Sequence, residues 1–174
     1  FGARFHASTA VPESSEGQVP VSAGFLHRQE YEVPLEDRLE EQFRELDRAD
    51  TEERYSAVLE EIITSFQSVE SMHSEVYSVR ALIHLGGHLL EPKPARNPDV
   101  IRRAIGALTT PAVQEKLADR LVMRDQPRRE TVRVLFDALG DAAIPFLLRR
   151  LADEEEAYAR GVFLNTLEGC GDSI

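Results

Sequence analysis

The stretch ALGDAAIPFLLRRLADEEE, Ala138–Glu156, decides the fold. An apolar-periodic segment ends at Leu139, the chain turns on Gly140-Asp141, and a second one begins within three residues. Glycine relieves the positive-φ position that commonly ends a helix, and aspartate is a favoured N-cap. The pair therefore predicts one helix closing and another opening, with Ile144, Leu147, Leu148 and Leu151 as the buried stripe of the second. Asp153 with Glu156 repeats a D-x-x-E capping pattern ahead of a further helix carrying Val162, Phe163, Leu164 and Leu167. At the end of the chain GCGDSI brings Gly171-Asp172, the same device again.

The same punctuation extends upstream. Asn97-Pro98 and Thr110-Pro111 each place a capping side chain before a proline at the first helical position, and Gln126-Pro127 resembles them. The helices they open carry Ile101, Ala104, Ile105 and Leu108, then Val113, Leu117 and Leu121, then Val132, Leu135, Phe136 and Leu139. Leu35, Leu39, Phe43 and Leu46 share one helical face. Asp50 and Glu53 suggest a cap for a helix with Tyr55, Val58, Leu59, Ile62, Ile63 and Phe66. Ser74 is a candidate N-cap for a third, with Val76, Val79, Leu82, Ile83 and Leu90. Three prolines in Glu91–Pro98 must break it. No segment after Leu35 reads as a strand, so the fold class expected is all-α. Residues 1–34 differ: Ser8–Gly24 has linker composition, and Glu30–Val33 allows one short extended piece. The expected organisation is an irregular extension over 1–34 and a helical domain over 35–174.

Shifted by 31 residues, the chain partly matches itself: Ile101, Ile105, Leu108, Val113 and Leu117 fall on Val132, Phe136, Leu139, Ile144 and Leu148, and Arg102 on Arg133. A two-helix unit at that period marks an α-solenoid, because one pair cannot bury both of its apolar faces alone. The segment RRETVRVLFDALGDAAIPFLLRRLADEEEAYARGVFLNTLEGCGD, Arg128–Asp172, resembles HEAT repeats of the bacterial kind, and the likeness runs from about Pro98 to Ile174. The resemblance implies an α-solenoid of antiparallel helix pairs. It also implies a ladder of acidic and arginine residues bonding between successive units: Asp99 and Arg102, Glu130 and Arg133, Asp141, and Glu156 with Arg160. If Ile174 were the natural end, Phe163 and Leu167 would lack a covering helix, so the native chain is expected to continue or to be covered there. The first residue is Phe, which suggests a piece of something longer.

Composition bounds the function. The chain has 174 residues, 42% of them hydrophobic, and a net charge of −11. Such a surface repels phosphate backbones and anionic membranes, so neither nucleic acid nor membrane is an expected partner. No apolar run approaches the ~20 residues of a membrane span. A single cysteine, Cys170, permits no intrachain disulfide, and a cytoplasmic setting fits. Cys170 lacks a nominated base and reads as packing. His84 and His88 lie four apart and share a helical face, which suits a metal, with His73 or Glu91 near enough in sequence to help. The intervening Gly86-Gly87, costing roughly 1 kcal/mol each in a helix, reads better as close packing or a kink. No catalytic residue, cofactor or metal is therefore expected.

The function expected is non-enzymatic: a scaffold binding another protein or a neighbouring domain through the second helix of each pair, at Gln114, Arg120, Arg149 and Arg150. Arg128, Arg129, Arg149 and Arg150 form a local basic group beside Glu154, Glu155 and Glu156. HEAT-like enzymes such as bilin lyases, and a regulatory domain within a larger protein, are the alternatives. A HEAT-like DNA glycosylase is disfavoured by the acidic charge and the absence of Trp.

Overall fold

Proline and a capping side chain start two of the helices where the sequence places them. The computed structural model describes residues 35–67, 74–124 and 128–171. Among these every regular element is helical: α1 Leu35–Arg48, α2 Glu52–Gln67, α3 Ser74–Leu90, α4 Pro98–Leu108, α5 Pro111–Val122, α6 Arg129–Leu139, α7 Ile144–Asp153 and α8 Ala157–Gly171, with a 3-10 turn at Gly140–Ala142. Asn97 Oδ1 accepts from the Asp99 backbone N–H at 2.9 Å, and Thr110 Oγ1 from that of Val113 at 3.3 Å. Both caps precede a first-turn proline, whose missing N–H costs nothing there. The extension over 1–34 with its Glu30–Val33 strand, His73, the Gln126-Pro127 cap, the side chains of Leu35 and Ser74, and Asp172 lie outside the described residues.

Three expected caps are corrected. Thr51, not Asp50, caps α2, accepting from the Arg54 N–H at 3.3 Å. Asp153 closes α7 rather than opening α8; in the link, Glu154 Oε1 accepts from the Glu156 N–H at 3.1 Å. Gly140 does take positive φ, at 54°, and its N–H donates to the Phe136 and Asp137 carbonyls. Asp141, however, lies inside the 3-10 turn and caps nothing, since α7 follows Ala143 with no side-chain cap. The turn's own i→i+3 bonding occupies the place a cap would fill.

The helices bury most of the stripes their periods predict. Tyr55, Leu82, Ile101, Ile105, Leu117, Val132, Leu135, Phe136 and Phe163 are fully enclosed. Val76, Leu90, Leu148 and Leu164, expected inside, are exposed. At 100° per residue Phe163 and Leu164 cannot share a face, and the same limit separates Leu147 from Leu148. α2, α4, α6 and α8 touch in succession; α3 packs on α4, α5 and α6; α8 packs on α5, α6 and α7. α3 lies close against α6: a Cβ on Gly86 would meet Thr131 Cγ2 at 2.7 Å and Leu135 Cγ at 3.1 Å. Close packing therefore accounts for Gly86. It does not account for Gly87, whose added Cβ would meet nothing within 4 Å.

Candidate functional site

Gly86 lets α3 lie against α6, and this sets His84 and His88 on a face of α3 turned toward the end of α1. There Asp47, one residue before the last of α1, meets both imidazoles. His88 Nε2 stands 2.8 Å and His84 Nε2 3.2 Å from the same oxygen, Asp47 Oδ1. The other ring nitrogen of His88, Nδ1, is 2.8 Å from the Tyr55 hydroxyl of α2. Phe43 of α1 stacks on His84 with centroids 4.6 Å apart and planes 17° from parallel. Arg96 completes the group. The prolines after α3 fold the chain back through a turn in which the Arg96 N–H donates to the Lys93 carbonyl at 2.9 Å. Its guanidinium donates to the Glu91 carbonyl at 2.9 Å, a cation at a helix C-terminus. It also approaches Asp47 Oδ1 to 3.7 Å.

Burial grades across this cluster. The side chains of Arg96 and His88 are 5% and 6% exposed, that of His84 27% and that of Asp47 47%. Burial pushes the His88 imidazole down to about 4, aided by the charges of Arg96 and His84 and opposed by Asp47. Burial likewise lowers His84 against the pull of Asp47. Burial alone would raise the Asp47 carboxyl, but the His88 hydrogen bond and the charges of both histidines outweigh it, and its pKa falls. Burial raises the Tyr55 hydroxyl. Both histidines are thus neutral at neutral pH. In the hydrogen-bonded arrangement Tyr55 donates to Nδ1 of His88, and His88 donates from Nε2 to Asp47. The arrangement can pass a proton along that line or present Nε2 lone pairs to a cation, depending on the tautomer. It opens on a cleft of ≈ 290 Å³ that Glu91, Arg128, Thr131 and Gly87 also line.

The partner-binding residues expected from sequence lie elsewhere. Arg149 and Arg150 of α7 reach Glu115 of α5, each at 2.9 Å, and Arg150 reaches Asp119 at 3.0 Å. Arg120 is exposed and Gln114 half-buried on α5. The expected basic group is divided: Arg128 lines the Asp47 cleft, while Arg129 donates to the Met123 carbonyl. Most of the ladder residues bond locally, while Glu156 reaches back 32 residues to Arg124. Arg102 pairs with Asp99 at 2.9 Å and Arg133 with Glu130 at 2.7 Å, each within its own helix. Arg160 bonds the Glu154 carbonyl at 3.1 Å, and Glu156 pairs with Arg124 at 3.0 Å. Cys170 is buried, its thiol donating to the Phe136 carbonyl at 3.4 Å and pushed by burial up to about 11.

Asp47, Tyr55 and Arg96 are the residues that sequence reasoning missed. Among them only Arg96 carried a signal, one of two cations, with Lys93, in a proline-broken link. Compared with known proteins, the chain matches no family model, no curated protein and no solved structure.

Proposed function

We propose that the chain is a non-enzymatic helical-repeat module, a HEAT-like α-solenoid, that binds another protein or a neighbouring domain along its α5 and α7 helices. The observation that carries the reading is the order of helix contacts. Each helix makes its main contacts with helices at most three places away in the chain, and α2, α4, α6 and α8 meet in succession. Helices stacked in sequence order leave elongated surfaces rather than one enclosed pocket, and such surfaces suit extended partners. On α7, Arg149 keeps 60% of its side chain exposed while paired to Glu115. A partner meeting that clasp exchanges ion pairs with it and gains orientation more than affinity.

Affinity capture with the full-length protein, read by quantitative mass spectrometry, tests this. Two variants are compared with wild type: Arg149→Glu with Arg150→Glu, and the same pair combined with Glu115→Arg and Asp119→Arg. The second restores the α5–α7 ion pairs with inverted signs. A partner held by wild type and lost from both variants supports the reading. A partner regained by the combined variant shows that the loss came from the fold. Capture of none refutes the module.

A further inference from the structure

We infer that Asp47, His84 and His88 form a binding site for a divalent first-row transition-metal ion of the zinc class, ligated by two imidazole nitrogens and one carboxylate oxygen. This goes beyond the partner-binding reading and does not depend on it. The three donor atoms come from two helices and converge. Both Nε2 atoms lie within 3.2 Å of Asp47 Oδ1, and all three donors lie within 4.8 Å of one another. An ion with bonds of about 2.0–2.2 Å to nitrogen and oxygen holds adjacent donors roughly 3 Å apart. The cluster is therefore near the spacing of a coordination shell, and shifts of well under a side chain's reach would admit the ion. Histidines at i and i+4 on one helix are a spacing that lets both rings grip one metal. Two imidazoles with one carboxylate suit zinc, cobalt or nickel better than calcium or magnesium, which prefer all-oxygen shells.

The surroundings fit ligation. A metal-bound His88 needs its proton on Nδ1, and the Tyr55 oxygen 2.8 Å away is the acceptor that would hold it there. The proton moves from Nε2 to Nδ1 within the neutral ring, so ligation requires no net loss from the imidazole. Phe43, stacked on His84, fixes the plane of the second ligand. The ≈ 290 Å³ cleft beside the cluster gives the ion an entry and leaves room for water or Glu91 in a further position. Gly87 lies on the wall of that cleft, in open space where a side chain would project. Two cations oppose the ion: Arg128 on the cleft wall and Arg96, 3.7 Å from the same carboxylate oxygen. Arg96 competes for the charge of Asp47 and weakens the site relative to one without it.

The test is titration of metal-stripped full-length protein with Zn²⁺ by calorimetry, with imidazole ¹⁵N spectra recorded on wild type. Binding is expected at one ion per chain, with the resonances of His84 and His88 shifting rather than those of His6, His27 or His73. His84→Ala and Asp47→Asn, each checked for helical content by circular dichroism, are expected to weaken binding by at least about tenfold. Arg96→Gln is expected to tighten it. Absence of saturable binding by wild type overturns the site. So do shifts confined to the other three histidines, and so does Zn²⁺ affinity unchanged in both ligand variants. The spectra need only the wild-type chain, so the question stays decidable even if a variant fails to fold.

Discussion

Asp137 shows how a single carboxylate can sit at odds with its surroundings. Its Oδ1 is buried without a hydrogen-bond partner. Burial raises its pKa above the ordinary value, with Arg133 opposing and Glu130 assisting. The folded protein therefore holds this proton more tightly than the unfolded chain does. Stability from the group is present in acid, below the unfolded value of 3.8, and is lost as pH rises through the higher folded value. At neutral pH the buried charge is a cost. Asp137→Asn keeps the shape and removes the charge. It is expected to raise Tm at pH 7 by about 2–4 °C, the effect of ~1 kcal/mol in a domain of this size. The gap from wild type should close as the pH of the melts is taken down toward 3.8; a gap that widens in acid contradicts the assignment. Nothing in the sequence marks Asp137, which looks like any polar residue between two apolar ones. The same holds for the site. His84 and His88 declare themselves by spacing, but Asp47 reaches them from 37 and 41 residues upstream. Tyr55 reads as a core residue because its ring is one; only the fold reveals where its hydroxyl points.

At the scale of an element, α3 carries two adjacent glycines with opposite surroundings. An added Cβ at Gly86 would clash with Thr131 and Leu135 of α6, including the Thr131 carbonyl at 3.0 Å. At Gly87 it would meet nothing, on a helix where alanine is favoured over glycine by about 1 kcal/mol. Gly87→Ala is expected to stabilise by up to about 1 kcal/mol, and Gly86→Ala to destabilise by about 1–3 kcal/mol through overpacking. Urea unfolding of the two variants checks this, and equal signs would mean that α3 does not press on α6 as described. Sequence alone flags the dipeptide as unusual but cannot split it, because the two residues differ only in which neighbour they face. Helix starts are more legible where two signals agree. Asn97-Pro98 and Thr110-Pro111 each combine a cap with a first-turn proline, and both hold. Asp50-Thr51 offers two capping residues in a row, so the D-x-x-E pattern selects the wrong one. Gly140-Asp141 locates the break correctly yet misassigns its chemistry, since a 3-10 turn and a side-chain cap begin with the same residues.

For the molecule as a whole, the order of contacts sets how a defect spreads. α6 touches α3, α4, α5 and α8, whereas α1 packs chiefly on α2 and meets α3 through Arg80 and the histidines. In a chain of nearest-neighbour interfaces, damage at one end loosens the adjoining helices and fades with distance, while damage in the middle is felt at both ends. Leu39 on α1 and Phe136 on α6 are both enclosed, and truncating either to Ala should cost about 2–5 kcal/mol. The two costs are similar in size but should differ in reach. Leu39→Ala is expected to speed amide hydrogen exchange in α1, α2 and the facing turns of α3, with α7 and α8 close to wild type. Phe136→Ala is expected to speed it from α3 through α8, because Phe136 also stacks toward Phe146 of α7 with centroids 6.1 Å apart. Exchange that rises equally everywhere in the Leu39 variant would mean a single cooperative core, and the proposed repeat architecture would then lose its energetic basis. The 31-residue self-similarity makes the same distinction from the sequence side. It places Ile101 on Val132 and Ile105 on Phe136, all buried, but Leu117 on the exposed Leu148. The register therefore holds along the row that α4 and α6 share and slips at α7, where α8 and the 3-10 turn supply most of the packing.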